Sequence, residues 1–419
     1  MKKIIGITLM VFLLVSASVA SSNKINNSNI KTNNQDGNYK QWTIMIFYAS
    51  DNDLHGQMTK SIGWLDYNGY NNDIKIVAQL DSNGVERYDI TENGAEIVET
   101  LAESSTGDKQ TIIDFVLWAK NLYPANRYCL VLADHGVGWQ NGFLRDDTDK
   151  INGKPDYLSM LEFKDCMNTI KKDILGNNKL DLLVLDACQM NMIEVIYQIR
   201  GTAKVCLAAP GLIRQNPYHM IFDDVYENVN CNERELAEYF YNARNSYYGY
   251  GSMGSYDVEK INSNLIPCLD VFSSELLDNY QRCKNEIKDA VSNTKAYNGE
   301  GGYIMHYRDL YSFSDQISEI VTIESVKSQA NELKSVLGGC KLYPSGVNGL
   351  SIYLPVHNLR YPYDSSYANL DMSKDISWYD FVLKTKNLKN KPVFTMPSNC
   401  FRLLKLLELF SPIFYNLKN

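Results

Sequence analysis

No Cys-x-x-Cys pair occurs in this chain of 419 residues, and its five histidines never gather with cysteines at zinc-ligand spacing. A structural zinc site is thereby excluded as an organising feature. No basic block or aromatic RNA-binding pattern is present either. With 41 basic against 49 acidic residues and a formal charge of −8, the chain is not built for nucleic acid; such a surface attracts basic substrates, if anything. Nine cysteines are present, but the odd number and scattered spacing describe no disulfide framework, and one thiol is left over whatever the pairing. Cys129, Cys166 and Cys206 sit inside apolar patterns and read as small buried thiols. Long apolar runs are missing too. The longest, Ile4 to Val15, falls short of the ~20 residues that a membrane-spanning helix needs.

That first run has another reading. Lys2 and Lys3 precede it and small residues follow, the pattern of a secretory signal (residues 1–20) cleaved after Ala20. No cysteine follows closely, which argues against a lipoprotein anchor. Export is the expectation. Residues 21–40, SSNKINNSNIKTNNQDGNYK, are polar and Asn-rich, a linker with nothing to bury.

From Trp42 the texture is globular: WTIMIFYAS (42–50), IKIVAQLD (74–81), YCLVLADH (128–135), LLVLDAC (182–188) and KVCLAAPG (204–211) are short, nearly continuous apolar runs. Continuous runs suit strands covered on both faces, as in a parallel sheet. Helical patterns lie between them. DKQTIIDFVLWAKNLYP carries a capping Asp108 and a terminating Pro124, while two further helices close on Gly176 and Gly201. RYDIT and AEIVET read as a hairpin about ENG. Alternating strands and helices predict an α/β/α sandwich over 41–255. Residues 256–385 read as a mainly helical portion, with NGLSIYLP (348–355) returning to an edge of the sheet. The tail, 386–419, is a packed or surface helix too short and too charged to span a bilayer; binding at a membrane surface is its less favoured reading.

Two strands end in reactive residues, His135 after YCLVLAD and Cys188 after LLVLDA. Open α/β sheets form sites beyond the carboxyl ends of their strands. If the two strands are neighbours, a spacing of ~5 Å brings thiol and imidazole within reach. Cys188 is predicted to begin a helix, whose N-terminal field would favour thiolate. His135 would protonate a leaving amine. Gly136 would let the backbone approach a substrate, its N–H joining that of Cys188 in an oxyanion hole. Each feature alone has a plain structural reading: a buried cysteine, a histidine in a turn, and Asp186 as a helix cap.

Together with WTIMIFYASDNDL, FVLWAKNLYPANRYCLVLADHGVGW, LLVLDACQMNMIEV and GLSIYLP, in that order over roughly residues 42–385, they resemble the clostripain family of cysteine peptidases, in the clan of caspases, legumains and gingipains. The resemblance implies a caspase-like α/β/α sandwich with a mostly parallel central sheet and a helical C-terminal portion. It also implies His135 and Cys188 as catalytic dyad, and Asp186 in the S1 pocket pairing with a P1 Arg or Lys of a protein or peptide substrate. Pro210 and Arg214, in PGLIRQNPY, depart from the acidic or polar stretch usual there, and Val137 stands where a small polar residue is common. An altered P1 preference is therefore the nearer alternative, and a non-catalytic binding protein on the same scaffold the farther one. Relatives cut between the His and Cys segments make the polar stretch 143–159 a candidate activation loop. Lys150 is the first-choice site; Arg145 follows, and Lys154, blocked by Pro155, comes last. No metal or cofactor is needed for the chemistry. DDTD (146–149) offers carboxylates to a calcium ion, which some relatives need, yet it lacks the full calcium-loop pattern.

Overall fold

The computed structural model describes residues 39–66, 70–140, 142–249, 253–297, 306–346, 349–355 and 365–385. The predicted signal, most of the linker and the tail lie outside the described residues.

A nine-stranded sheet organises the molecule. Its strands are β1 (Lys40–Ala49), β2 (Ile74–Asp81), β3 (Val85–Thr91), β4 (Gly94–Leu101), β5 (Ala125–Ala133), β8 (Leu180–Asp186), β9 (Ala203–Ala208), β10 (Gly254–Asp257) and β13 (Lys341–Tyr343). The intervening β6 (Phe143–Ile151) and β7 (Lys154–Leu158) form a separate hairpin. A three-stranded sheet holds β11 (Ala296–Tyr297), β12 (Tyr307–Asp309) and β14 (Ser351–Tyr353). In the large sheet the order is β13-β10-β9-β8-β5-β1-β2-β3-β4. The five central strands run parallel, flanked by antiparallel pairs on both sides.

The five apolar runs are those five central strands, and the reason is visible along β1. Met45, Phe47 and Ala49 enter one core while Ile44, Ile46 and Tyr48 enter the other. Both faces are covered, so neither set of alternating side chains can be polar. Burying each Leu, Ile or Val of such a strand stabilises by roughly 1.5–3 kcal/mol, and Leu130, Val131 and Leu132 of β5 are all fully buried. One face carries α2 (Lys109–Leu122) and α3 (Met160–Thr169); the other carries α1 (His55–Leu65), α5 (Tyr218–Glu227) and α6 (Glu233–Tyr248). Capping fixes the ends. Asp108 accepts from Gln110 N–H at the start of α2, and Ser159 with Glu162 closes a capping box on α3.

Three expectations need correction. NGLSIYLP does not join an edge of the large sheet. Its strand β14 pairs with β12, and β13 and β10 occupy that edge instead. The stretch 143–159 is no irregular loop but the β6–β7 hairpin, turning through Asn152 and Gly153, both with positive φ (55° and 77°). The expected helix start at Cys188 lies five residues further on, at Ile193, where α4 (Ile193–Gln198) begins. β10 (Gly254–Asp257) runs across residue 255, where the sequence reading placed the end of the first portion. No helix among the described residues is long and apolar enough to cross a membrane.

Candidate active site

β5 and β8 are parallel neighbours in register, with Ala133 opposite Asp186. His135 and Cys188 each lie two residues past the end of their strand, so both emerge at the carboxyl end of the sheet. Both line one cavity of about 240 Å³, together with Leu54, Met58, Ile213 and Gln215. The sequence expectation of a shared thiol–imidazole site beyond the strand ends thus has a common cavity to occupy.

Cys188 stands in a turn rather than on a helix, and α4, six residues long, starts only at Ile193. The sulfur is held by the segment after β9. Ile213 N–H donates to Sγ at 3.3 Å, and the thiol lies 3.7 Å from the Ile213 carbonyl. A donor at that distance favours negative charge on sulfur. The turn itself is pinned on the same segment: Gln189 N–H donates to the Gly211 carbonyl and Asn191 N–H to the Ala209 carbonyl, each at 2.9 Å. These bonds hold Gln189 at φ +62°, a left-handed conformation costly for a residue with a side chain.

His135 is braced on both sides. Leu144 N–H donates to its carbonyl at 3.3 Å, and Val137 N–H donates to the Gly142 carbonyl at 3.1 Å. Segment 135–137 therefore pairs with the start of the hairpin, and the Gly136 N–H is not used in that pairing. A Cβ on Gly136 would lie 2.4 Å from the Cys188 carbonyl oxygen and 2.9 Å from the Ala187 Cβ. The glycine is required because the two reactive segments touch there, a reason distinct from the substrate approach predicted for it. The oxyanion role expected of the Gly136 and Cys188 N–H groups stays a proposal.

Sequence reading missed the partner of the imidazole. His135 Nε2 lies 2.9 Å from Asp53 Oδ1, and Arg145 Nη1 lies 3.3 Å from the same oxygen. Burial works against ionisation of Asp53, but the His135 ring and Arg145 hold its carboxyl below the usual range. A carboxylate acceptor at Nε2 puts a proton there and leaves Nδ1 to exchange one. The only sequence signal was an acid just past a strand, in FYASDNDL. Asp53→Asn should lower kcat by about 10- to 100-fold with little change in KM, because the ring loses its orienting charge but keeps its place. Steady-state kinetics on one peptide checks this; an unchanged kcat would make Asp53 an ordinary surface acid.

Asp186 lies beneath the site, its side chain 1 % exposed. Its carboxylate accepts from the Asn216 N–H and the Tyr218 hydroxyl, both at 3.0 Å. Burial pushes this carboxyl up, opposed by Arg244, whose Nη1 is 3.9 Å away, and by those two donors. It does not cap a helix. Of the candidate cleavage residues, Lys150 and Lys154 are exposed near the hairpin turn. Arg145 is tied down by a two-pronged contact with Asp147 (2.6 and 2.9 Å) as well as by Asp53. Carboxylate oxygens of Asp51, Glu103 and Asp146 lie within 4.8 Å of one another, beside the hairpin.

The model of the clostripain family matches residues 46–390. Clostripain of Hathewaya histolytica is 25% identical over 429 aligned positions, covering 81% of this chain and 79% of that protein. Among solved structures, a secreted C11 cysteine protease from Bacteroides thetaiotaomicron in complex with an irreversible peptide inhibitor matches with a TM-score of 0.59 at 16% identity, over 82% of this chain and 99% of that one. An inactive zymogen C11 protease from Parabacteroides distasonis matches with a TM-score of 0.60 at 19% identity over the same shares. These likenesses show the fold, a caspase-like α/β/α sandwich.

Proposed function

This chain belongs to the clostripain family and is a cysteine endopeptidase, and on that premise we propose that Cys188 and His135 are its nucleophile and its proton carrier. The observation that carries the assignment is their meeting at one cavity beyond the ends of the adjacent strands β5 and β8. In the acylation step the Cys188 thiol passes its proton to His135 and Sγ attacks the scissile carbonyl carbon. The C–N bond breaks, and the leaving amine takes a proton from His135. In the second step His135 takes a proton from water as the oxygen attacks the thioester, and the C–S bond breaks as His135 returns that proton to sulfur, so that Cys188 leaves as thiol. The N–H groups of Gly136 and Cys188 receive the negative oxygen of each tetrahedral intermediate. Incubation with a mixed peptide library should release new amino termini, and iodoacetamide should stop that release. Continued cleavage after alkylation would contradict a thiol mechanism.

The signal-like start of the chain supports export, as does the description of the Bacteroides thetaiotaomicron relative as secreted. Two readings of P1 stand. The family resemblance assigns Arg or Lys, selected by Asp186. On that reading the exposed Lys150 is the site of self-cleavage, and N-terminal sequencing of the purified protein tests it; full activity in an uncut chain would remove the step. The second reading, an altered P1 preference, is favoured by one observation: the Asp186 carboxylate is buried and already faces Arg244.

Calcium fits the acidic cluster. Asp51, Glu103 and Asp146 offer only oxygen, the donor of a hard cation. Asp81 is fully buried, its Oδ1 has no hydrogen-bond partner among the described residues, and burial with its acidic neighbours pushes its carboxyl up to about 7. A bound ion would supply positive charge that fastens the hairpin to the ends of β1 and β2. Millimolar calcium should therefore raise Tm by a few degrees over chelator, and Asp146→Asn should abolish the shift. Equal Tm with calcium and with chelator would refute the site.

A further inference from the structure

We propose that Arg145 is a positioning residue for the reaction: from a bulge at the start of the β6–β7 hairpin, its guanidinium holds the Asp53 carboxylate on the ring of His135. This rests on His135 being the proton carrier.

The bulge comes first. Phe143 pairs with Leu158 and Arg145 with Tyr157, so β6 advances two residues where β7 advances one. The extra residue, Leu144, is fully buried and sits at φ +58°, a left-handed conformation costly for leucine. Such a bulge re-aims the side chain beside it. The backbone of Arg145 is fastened at both ends. Its N–H donates to the carboxylate of Asp134, a residue lining the cavity, and its carbonyl accepts from Asn52 Nδ2 at 2.8 Å. Asn52 Nδ2 also donates to Asp134 Oδ1 at 2.9 Å. The chain neighbours of Asp53 and His135 are thus tied to Arg145 by one amide and one carboxylate.

The side chain completes the arrangement. That of Asp53 is 68 % exposed, and an aspartate so open turns among its rotamers unless something holds it. Arg145 Nη1 lies 3.3 Å from Asp53 Oδ1, the same oxygen that meets His135 Nε2. Nε and Nη2 donate to the two carboxylate oxygens of Asp147 at 2.6 and 2.9 Å, a two-pronged grip that fixes the plane of the guanidinium. Asp147 also balances its charge. Arg145 therefore orients Asp53 while the pair adds little net positive field against the imidazolium formed as the thiol loses its proton. An exposed ion pair contributes little to stability, so this one acts on geometry rather than on folding.

The test is a double-mutant cycle read by kcat and KM on one peptide. Arg145→Met should lower kcat about 10-fold, with KM within about 2-fold of wild type and little change in Tm. In the Asp53→Asn background the same substitution should change kcat by less than about 2-fold, because the carboxylate it acts through is gone. Arg145→Lys should recover part of the loss, since an ammonium reaches Asp53 or Asp147 but cannot grip both. Should Arg145→Met fail to fold, Arg145→Lys decides by the same comparison of the two backgrounds. A wild-type kcat in Arg145→Met overturns the proposal, as does an equal loss in both backgrounds or a loss confined to KM. His135→Ala separates the two levels of failure. If that variant loses turnover while Arg145→Met does not, only the role of Arg145 falls. If His135→Ala turns over normally, the proton-carrier assignment falls, and the proposal with it.

Discussion

Replacing Cys188 with alanine is expected to lower turnover of any peptide substrate on the order of 10⁴- to 10⁶-fold, while the melting temperature stays close to that of the wild type. The size follows from the chemistry: without sulfur no thioester can form, and only binding and oxyanion stabilisation remain. The fold should be indifferent, because the side chain is half-buried in a turn whose position is set by the backbone bonds of Gln189 and Asn191. His135→Ala should cost at least about 100-fold, the contribution of a general acid–base. Near-normal turnover in either variant, measured on the same peptide with purified protein, would remove that residue from the dyad.

The second large effect is expected at a residue that touches no substrate proton. In Gly136→Ala the new methyl would sit 2.4 Å from the carbonyl oxygen of Cys188, about 1 Å inside ordinary contact, so one of the two reactive segments must move. A displacement of about 1 Å at the reacting groups costs roughly 100-fold in rate. Overpacking costs about 1–3 kcal/mol of stability besides. Kinetics together with a thermal melt should thus show both a fall in kcat and a lower Tm. Wild-type kcat in this variant would mean that the strand ends are more yielding than the contacts imply.

The central strands were legible because burial on both faces leaves continuous apolar runs, and that also placed His135 and Cys188 at strand ends. What placed the two strands next to each other was tertiary, since no local pattern states sheet order. The turn at Cys188 was misread as helix because apolar residues recur through CQMNMIEVIYQI with no Gly or Pro to break the run, and nothing in a glutamine announces φ +62°. The β6–β7 hairpin did carry a signal. Asn152-Gly153 is a strong two-residue turn, but the strands beside it are polar, and their alternation is hidden by irregular register between Asp146 and Lys150. Arg244 had no signal whatever. In ERELAEYFYNARNSYY it resembles any solvent-facing helical arginine, and only the packing of α6 against the end of β8 turns it inward.

The cysteines themselves offer the most direct test. Among the described residues only Cys188 and Cys268 are not buried. Burial pushes the Cys268 thiol up to about 11, and those of Cys231 and Cys340 likewise to about 11, so none of these three competes as a thiolate near neutral pH. Intact protein treated with one equivalent of a thiol-alkylating peptidyl ketone at pH 7, then digested and mapped by mass spectrometry, should carry a single adduct on Cys188. The rate of its formation should fall at least about 10-fold in His135→Ala. A principal adduct on any other cysteine, or a rate indifferent to His135, would contradict the account.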